Sequence, residues 1–158
     1  MDRDSLVSGP RYEALLQLLR TADTLWNASR VFFARWNLSP SQFNVLNLLA
    51  DHPKGVSQIE LGRLLVMHRS NVTGLIDRLE TRGLVQRRDH LTDRRAFNVL
   101  LTPAGRKLIR QIEPHYRKAA AGVWGDVPVR RVNQLLSELV TVSANAERIA
   151  GEISTKPS

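Results

Sequence analysis

Between Met67 and Thr102 the apolar positions change their period. Val72, Leu75, Ile76 and Leu79 recur at i, i+3, i+4 and i+7, one stripe at helical spacing. Arg69, Ser70, Asn71, Thr73, Gly74, Asp77 and Arg78 fall off that stripe. The pattern predicts a helix with one buried face and one hydrogen-bonding face. Gly83 follows the last turn and is expected to end it in a left-handed conformation. Leu84 to Arg88 can then extend. Phe97, Val99 and Leu101 alternate with Asn98 and Leu100, which predicts a second, partly buried strand. His90 to Arg95 lies between the strands as a polar hairpin tip, with Arg94 and Arg95 adjacent.

The chain upstream is helical in pattern. From Tyr12 to Trp36 apolar residues fall on more than one face, with no Pro or Gly between them. Such a helix spans roughly 35 Å at 1.5 Å per residue. A chain this short has little material to surround it, so a second subunit is expected to share it. Ser39-Pro40-Ser41-Gln42 is a start signal: Ser as N-cap, Pro at the first helical position, Gln at the third. Phe43, Val45, Leu46, Leu48 and Leu49 follow as the buried face of a second helix. After a turn at Asp51 to Gly55, Val56 is expected to add a bridging strand residue. Ser57 and Glu60 form another capping box and open a short helix.

Downstream, Thr102-Pro103 repeats the cap-and-proline signal and opens a fifth helix, which Pro114 is expected to kink. Gly122 to Pro128 breaks the pattern, with Asp126 the expected cap of a sixth helix. Val129, Val132, Leu135, Leu136, Leu139, Val140 and Ala144 carry that helix to about Ala150. Residues 1–9 and 152–158 read as flexible ends.

The expected fold is mainly α with a small β-hairpin wing. It is a winged helix-turn-helix, with a helical dimerisation region drawn from both chain ends. One domain is expected over 10–150, with a DNA-binding lobe at 39–102 and dimerisation helices at 10–36 and 103–150. A two-fold dimer would bury the surplus apolar surface and set two reading helices about one DNA turn, roughly 34 Å, apart. The helix suits the major groove, where base edges differ. An arginine on a thin hairpin suits the minor groove, whose negative potential attracts it. The exposed Gln58, at a capped helix start, suits a phosphate.

Charge supports this reading only modestly. The 158 residues carry 23 Lys+Arg and 15 Asp+Glu, a net charge of +8, but the excess is spread along the chain. That balance favours a polyanion, nucleic acid ahead of a membrane surface. There is no cysteine, so disulfides, thiolate catalysis and thiol redox sensing are excluded. A reducing cytoplasm fits. No apolar run approaches a membrane span. His52, His68, His90 and His115 are scattered without HxH or HxxxH pairing, and no nucleophile–base constellation can be assembled. Neither an enzyme, nor a metal site, nor a cofactor is expected. A non-specific architectural nucleic-acid binder is the alternative function. The polar variety at Ser70, Asn71 and Thr73 weighs against it, because pure phosphate binding needs only Lys and Arg.

Asp93-Arg94-Arg95-Ala96-Phe97-Asn98-Val99-Leu100-Leu101-Thr102 resembles the wing of MarR-family transcriptional regulators. Asn71 to Glu80 with Gly83-Leu84-Val85 resembles the family's recognition helix, and the helix order is similar over about residues 10–150. The resemblance implies a dimeric repressor or activator of near-palindromic operators on double-stranded DNA, modulated by a small aromatic or phenolic effector. It implies Arg95 as the minor-groove arginine, with Arg94 beside it. Asp93 would brace the wing by pairing with Arg95 or Arg87. His68, Arg69, Ser70, Asn71 and Thr73 would face bases and nearby phosphates, and Arg78 a phosphate. Arg87 or Arg88, bordering the wing, could also meet phosphate. Trp26, Phe33, Trp36, His115 and Tyr116 would line an effector crevice, with Arg30 or Arg35 to hold a carboxylate. For the aromatic residues a place in the dimer core is the competing reading. Lacking cysteine, the chain departs from peroxide-sensing members.

Overall fold

The computed structural model describes residues 9–65, 69–89 and 97–154. In chain order these form α1 (Pro10–Ala34), α2 (Pro40–Ala50), β1 (Val56–Ser57), α3 (Gln58–Leu64), α4 (Arg69–Thr81), β2 (Val85–Asp89), β3 (Phe97–Leu101), α5 (Pro103–Trp124) and α6 (Val129–Ser154). The architecture is mainly helical with a small antiparallel sheet in the order β1-β3-β2. Arg87 pairs with Val99, and Val56 pairs with the same Val99 from the other side. The chain divides into two compact units, one ending at Ile112 and the other beginning at Glu113.

The core lies in the first unit. Val72, Leu75, Ile76 and Leu79 of α4 are all buried, with Phe43, Val45, Leu46 and Leu49 of α2, Leu61 of α3, Val85 and Val99 of the sheet, and Ile109 and Ile112 of α5. Burying one Leu, Ile or Val side chain contributes about 1.5–3 kcal/mol relative to exposure, so the α4 stripe alone fixes which side of that helix faces out. Phe33 joins α1 to this core. Its ring stacks on Phe43 with centroids 4.2 Å apart.

Local signals set the helix ends. Ser39 Oγ accepts from Gln42 N–H (3.1 Å), and the Gln42 side chain accepts from Ser39 N–H (2.9 Å), a closed capping box. Ser57 Oγ accepts from Glu60 N–H (3.2 Å), one half of such a box. α1 ends two residues before the expected Trp36. Asn37 takes a left-handed φ of +53°, and Leu38 N–H donates to the Phe33 carbonyl. α4 ends by the same device on Gly83 (φ +67°), with Leu84 N–H on the Leu79 carbonyl and Gly83 N–H on the Glu80 carbonyl.

Downstream, three expectations shift. α5 holds Pro114 within its length and runs to Trp124, so Gly122 to Trp124 are helical rather than part of the break. Pro128, not Asp126, immediately precedes α6, and its carbonyl accepts from Val132 N–H. α6 reaches Ser154, so residues 152–154 are helical rather than part of a loose tail.

A tight junction ties the start of α5 to the end of α4. Thr102 Oγ1 donates to the Gly83 carbonyl (2.6 Å) and accepts from Gly105 N–H (3.0 Å). Thr102 N–H donates to the Leu84 carbonyl (3.1 Å). A Cβ on Gly105 would stand 2.1 Å from that carbonyl oxygen, so the approach requires glycine. Gly105→Ala is therefore expected to lower stability by about 1–3 kcal/mol, since backbone must move. Gly122→Ala on the same helix meets nothing within 4 Å and is expected to be neutral or mildly stabilising. Urea unfolding of the two variants side by side tests this. Equal midpoints would refute the close approach.

Candidate nucleic-acid interface

The buried stripe of α4 leaves Asn71, Thr73, Asp77 and Arg78 exposed on the opposite side. Arg69 and Ser70 form its first turn. Asn71 and Thr73 carry hydrogen-bonding groups of neutral charge, the kind that discriminates base edges rather than only attracting phosphate. The Arg78 guanidinium lies back along the helix over Gly74, 3.8 Å from where a Cβ would stand there. His68 of the expected DNA-binding set, and the hairpin tip with Asp93, Arg94 and Arg95, lie outside the described residues. What is described of the wing is its base. β2 and β3 pair in register from Val85–Leu101 to Asp89–Phe97, so the tip starts from a defined two-stranded stem.

Arg87 has a different task from the one expected. Its guanidinium is held by two carboxylates of α4 rather than presented to phosphate. Nη2 donates to Asp77 Oδ1 at 2.5 Å, and Nη1 donates to Glu80 Oε2. Glu80 Oε1 also accepts from the Arg87 backbone N–H (2.9 Å), at the edge of the sheet. Gln58 completes the cluster. With its amide oxygen turned towards β2, it accepts from Arg87 Nε at 3.3 Å and Nη2 at 3.1 Å. Gln58 is therefore half-buried against the wing, not the exposed phosphate contact expected from its place at the start of α3. Burial works to lower the Arg87 pKa, but the hydrogen bonds and charges of Asp77 and Glu80 outweigh it and hold it above the ordinary arginine value. A raised folded-state value means that the cation's contribution to stability is complete below the unfolded pKa. It fades only as pH climbs through the folded one, far into alkali. Arg88, one residue on, is exposed and remains the phosphate candidate of the pair.

The sequence reading missed this clamp. Its signal is visible in retrospect: Asp77 and Glu80 are three apart on one helix face, and Gly83 turns the chain back so that Arg87 meets them. Arg82 was missed too. Its Nη1 donates to the Asn37 carbonyl (2.6 Å) and its Nη2 to the Trp36 carbonyl (3.2 Å).

The expected effector residues fall in both units. Trp26 and Arg30 line a cleft of about 410 Å³ with Ala34, Asn37, Leu38, Ser39, Pro40 and Gln42. Phe33 is a correction: it is 2% exposed and stacked in the core, so it has no surface to offer a ligand. Trp36 packs on Phe32 with ring centroids 5.3 Å apart. The Arg35 guanidinium sits 5.5 Å from the Phe32 ring centroid. His115 and Tyr116 belong to the second unit. Among the described residues no group of three or more His, Asp or Glu could hold a metal ion, and no helix is long and apolar enough to cross a membrane.

Known proteins are similar to this chain in sequence and fold. A model described as the MarR family matches residues 36–96. The HTH-type transcriptional repressor YetL of Bacillus subtilis (strain 168) is 32% identical over 111 residues, 69% of this chain and 66% of that protein. The homoprotocatechuate degradative operon repressor of Escherichia coli is 27% identical over 142 residues, 87% of this chain and 95% of that protein. The crystal structure of CouR from Rhodococcus jostii RHA1 bound to p-coumaroyl-CoA superposes with a TM-score of 0.72 at 25% identity. It covers 80% of this chain and 88% of that one.

The clamp generates a prediction. Arg87→Ala leaves Asp77 and Glu80 facing each other without a cation, while the backbone N–H at 87 can still donate to Glu80. A loss of about 1–2 kcal/mol in unfolding free energy is expected, with partial recovery when Glu80→Gln is added. A double-mutant cycle in urea measures it. Additive effects would show that the groups do not interact.

Proposed function

The chain belongs to the MarR family of DNA-binding transcriptional regulators, and on that footing we propose that it acts as a symmetric dimer that represses transcription from near-palindromic operators. The carrying observation is the two-sidedness of α4. Its apolar face is wholly buried, and Asn71, Thr73 and Arg78 stand outside on a rigid helix beside the stem of a basic hairpin. Arg69, Ser70, Asn71 and Thr73 enter the major groove, with His68 at the helix entry. Arg78 and Arg88 meet phosphates. Arg95, with Arg94 beside it and Asp93 bracing the tip, enters the minor groove.

Dimerisation is supported by the ends of the chain. α6 has no buried residue, and Leu136 and Val140, one turn apart, are 60% and 62% exposed. α1 buries only Phe33 and exposes Leu15, Leu19, Leu25 and Val31. Helices with this much uncovered apolar surface require a partner. A second copy satisfies both at once and gives the two-fold spacing that a palindrome needs.

The effector is a small aromatic acid in the cleft by Trp26 and Arg30. The indole offers an apolar face and the guanidinium a partner for a carboxylate. The homoprotocatechuate degradative operon repressor supports an aromatic acid, and CouR bound to p-coumaroyl-CoA supports the aromatic ring alone, because its acyl group is a thioester. Each tenfold change in operator affinity requires about 1.4 kcal/mol of differential binding between the DNA-competent and incompetent states.

Selection of bound duplexes from a random pool is expected to yield a near-palindrome. Against that duplex, Arg95→Ala should weaken binding at least tenfold while the circular dichroism spectrum is unchanged. Undiminished affinity would remove the wing from the interface. Wild-type log K should fall steeply and linearly with log salt, because several phosphates release counterions. A flat line would dismiss duplex binding through arginine contacts. Leu136→Glu should shift sedimentation from dimer to monomer and reduce operator affinity with it. A dimer that persists would place the interface elsewhere.

A further inference from the structure

Two helices of the first unit end in the same way, and one side chain joins the ends. α1 stops where Asn37 turns left-handed, leaving the carbonyls of Trp36 and Asn37 beyond the last helical hydrogen bonds. α4 stops where Gly83 turns left-handed, and Arg82 is the residue just before it. The Arg82 guanidinium reaches across 45 positions of sequence to donate to both orphan carbonyls, at 2.6 Å and 3.2 Å. A cation there also sits favourably at the negative ends of the two helix dipoles. Arginine suits this task because two N–H groups of one rigid plane meet two neighbouring acceptors, a fixed two-point geometry that a lysine ammonium on its flexible stem does not impose.

We infer that Arg82 is a positioning residue for sequence reading. It sets the direction of α4 relative to the end of α1, and so fixes how the α4 face meets base edges, without itself touching DNA. This rests on the reading of α4 as the helix that enters the major groove. α1 carries much of the uncovered apolar surface attributed to the dimer, so an α4 held to α1 inherits its angle from the two-fold pairing. Base-edge hydrogen bonds depend steeply on distance and direction. Phosphate attraction falls off slowly and tolerates a tilt. Releasing the tie therefore costs specific binding far more than non-specific binding.

The test compares wild type, Arg82→Ala and Arg82→Lys, each shown to be folded and dimeric at the assay temperature. Each is titrated onto the duplex selected by the wild type and onto a random duplex of equal length, across a salt series. For Arg82→Ala, affinity for the selected duplex is expected to fall about tenfold. Affinity for the random duplex and the salt slope should stay at wild-type values. Arg82→Lys, able to reach one carbonyl, should fall between. An equal loss on both duplexes with a slope shallower by about one would make Arg82 a phosphate contact and overturn the inference. An unaltered affinity for the selected duplex, whatever the melting temperature does, would reduce Arg82 to a structural cap and overturn it too. A wild type that does not distinguish the two duplexes refutes the reading of α4 itself. A discriminating wild type with an unaffected Arg82→Ala refutes only the positioning role.

Discussion

Everything exposed on α4 depends on what that helix buries. Val72, Leu75, Ile76 and Leu79 lie against α2, α3 and the sheet in one continuous core. With that stripe sealed, rotation of the helix about its axis would exchange buried leucine and isoleucine for Asn71, Thr73 and Asp77, at several kcal/mol per turn of helix. The polar face is thus fixed by hydrophobic burial on the other side. A helix held this way presents its side chains at defined angles, which a loop could not do.

On the proposed reading α4 meets a polyanion, and so has to manage its own carboxylates. Asp77 and Glu80 belong to α4, and left alone both would oppose phosphate. Arg87 answers both, and Gln58 fills what remains of the guanidinium. The same cluster joins α3, α4 and β2, so the local charge balance and the placement of the wing's stem come from one set of contacts. The cation's raised pKa keeps Arg87 charged throughout the pH range in which a cell operates.

What could be read from the chain beforehand was whatever is encoded within a few residues. Ser39 with Gln42, Thr102 with Pro103, and Gly83 acted as the spacing predicts, and Ser57 with Glu60 made one of the two capping contacts, because a cap and its partner are three or four positions apart. The α4 stripe was legible for the same reason. Arg82 was not, since nothing near it in sequence points to carbonyls at positions 36 and 37. Arg87 was misjudged because an arginine beside a basic hairpin looks like a phosphate contact until its carboxylates are placed. Phe33 failed in the opposite direction. One aromatic residue among several on a long helix gives no sign of whether it faces a cleft or, as here, stacks on Phe43 inside the core. The sequence-predicted break at Gly122 to Pro128 narrowed to residues 125–128, since α5 runs to Trp124, and Asp126 gave way to the Pro128 carbonyl because proline already fixes the chain one residue before the helix.

One contact of Glu80 has a bearing on solubility. The three-stranded sheet has two rims, and open backbone groups along a rim invite another polypeptide to add itself as a further strand. On the β1 rim the strand is two residues long, too short to template much pairing. On the β2 rim, Glu80 occupies the Arg87 amide and stands its side chain across the approach. The carboxylate that steadies the wing's stem is thereby also a guard against strand-to-strand growth, set across the middle of the outer strand where an incoming chain would begin to pair.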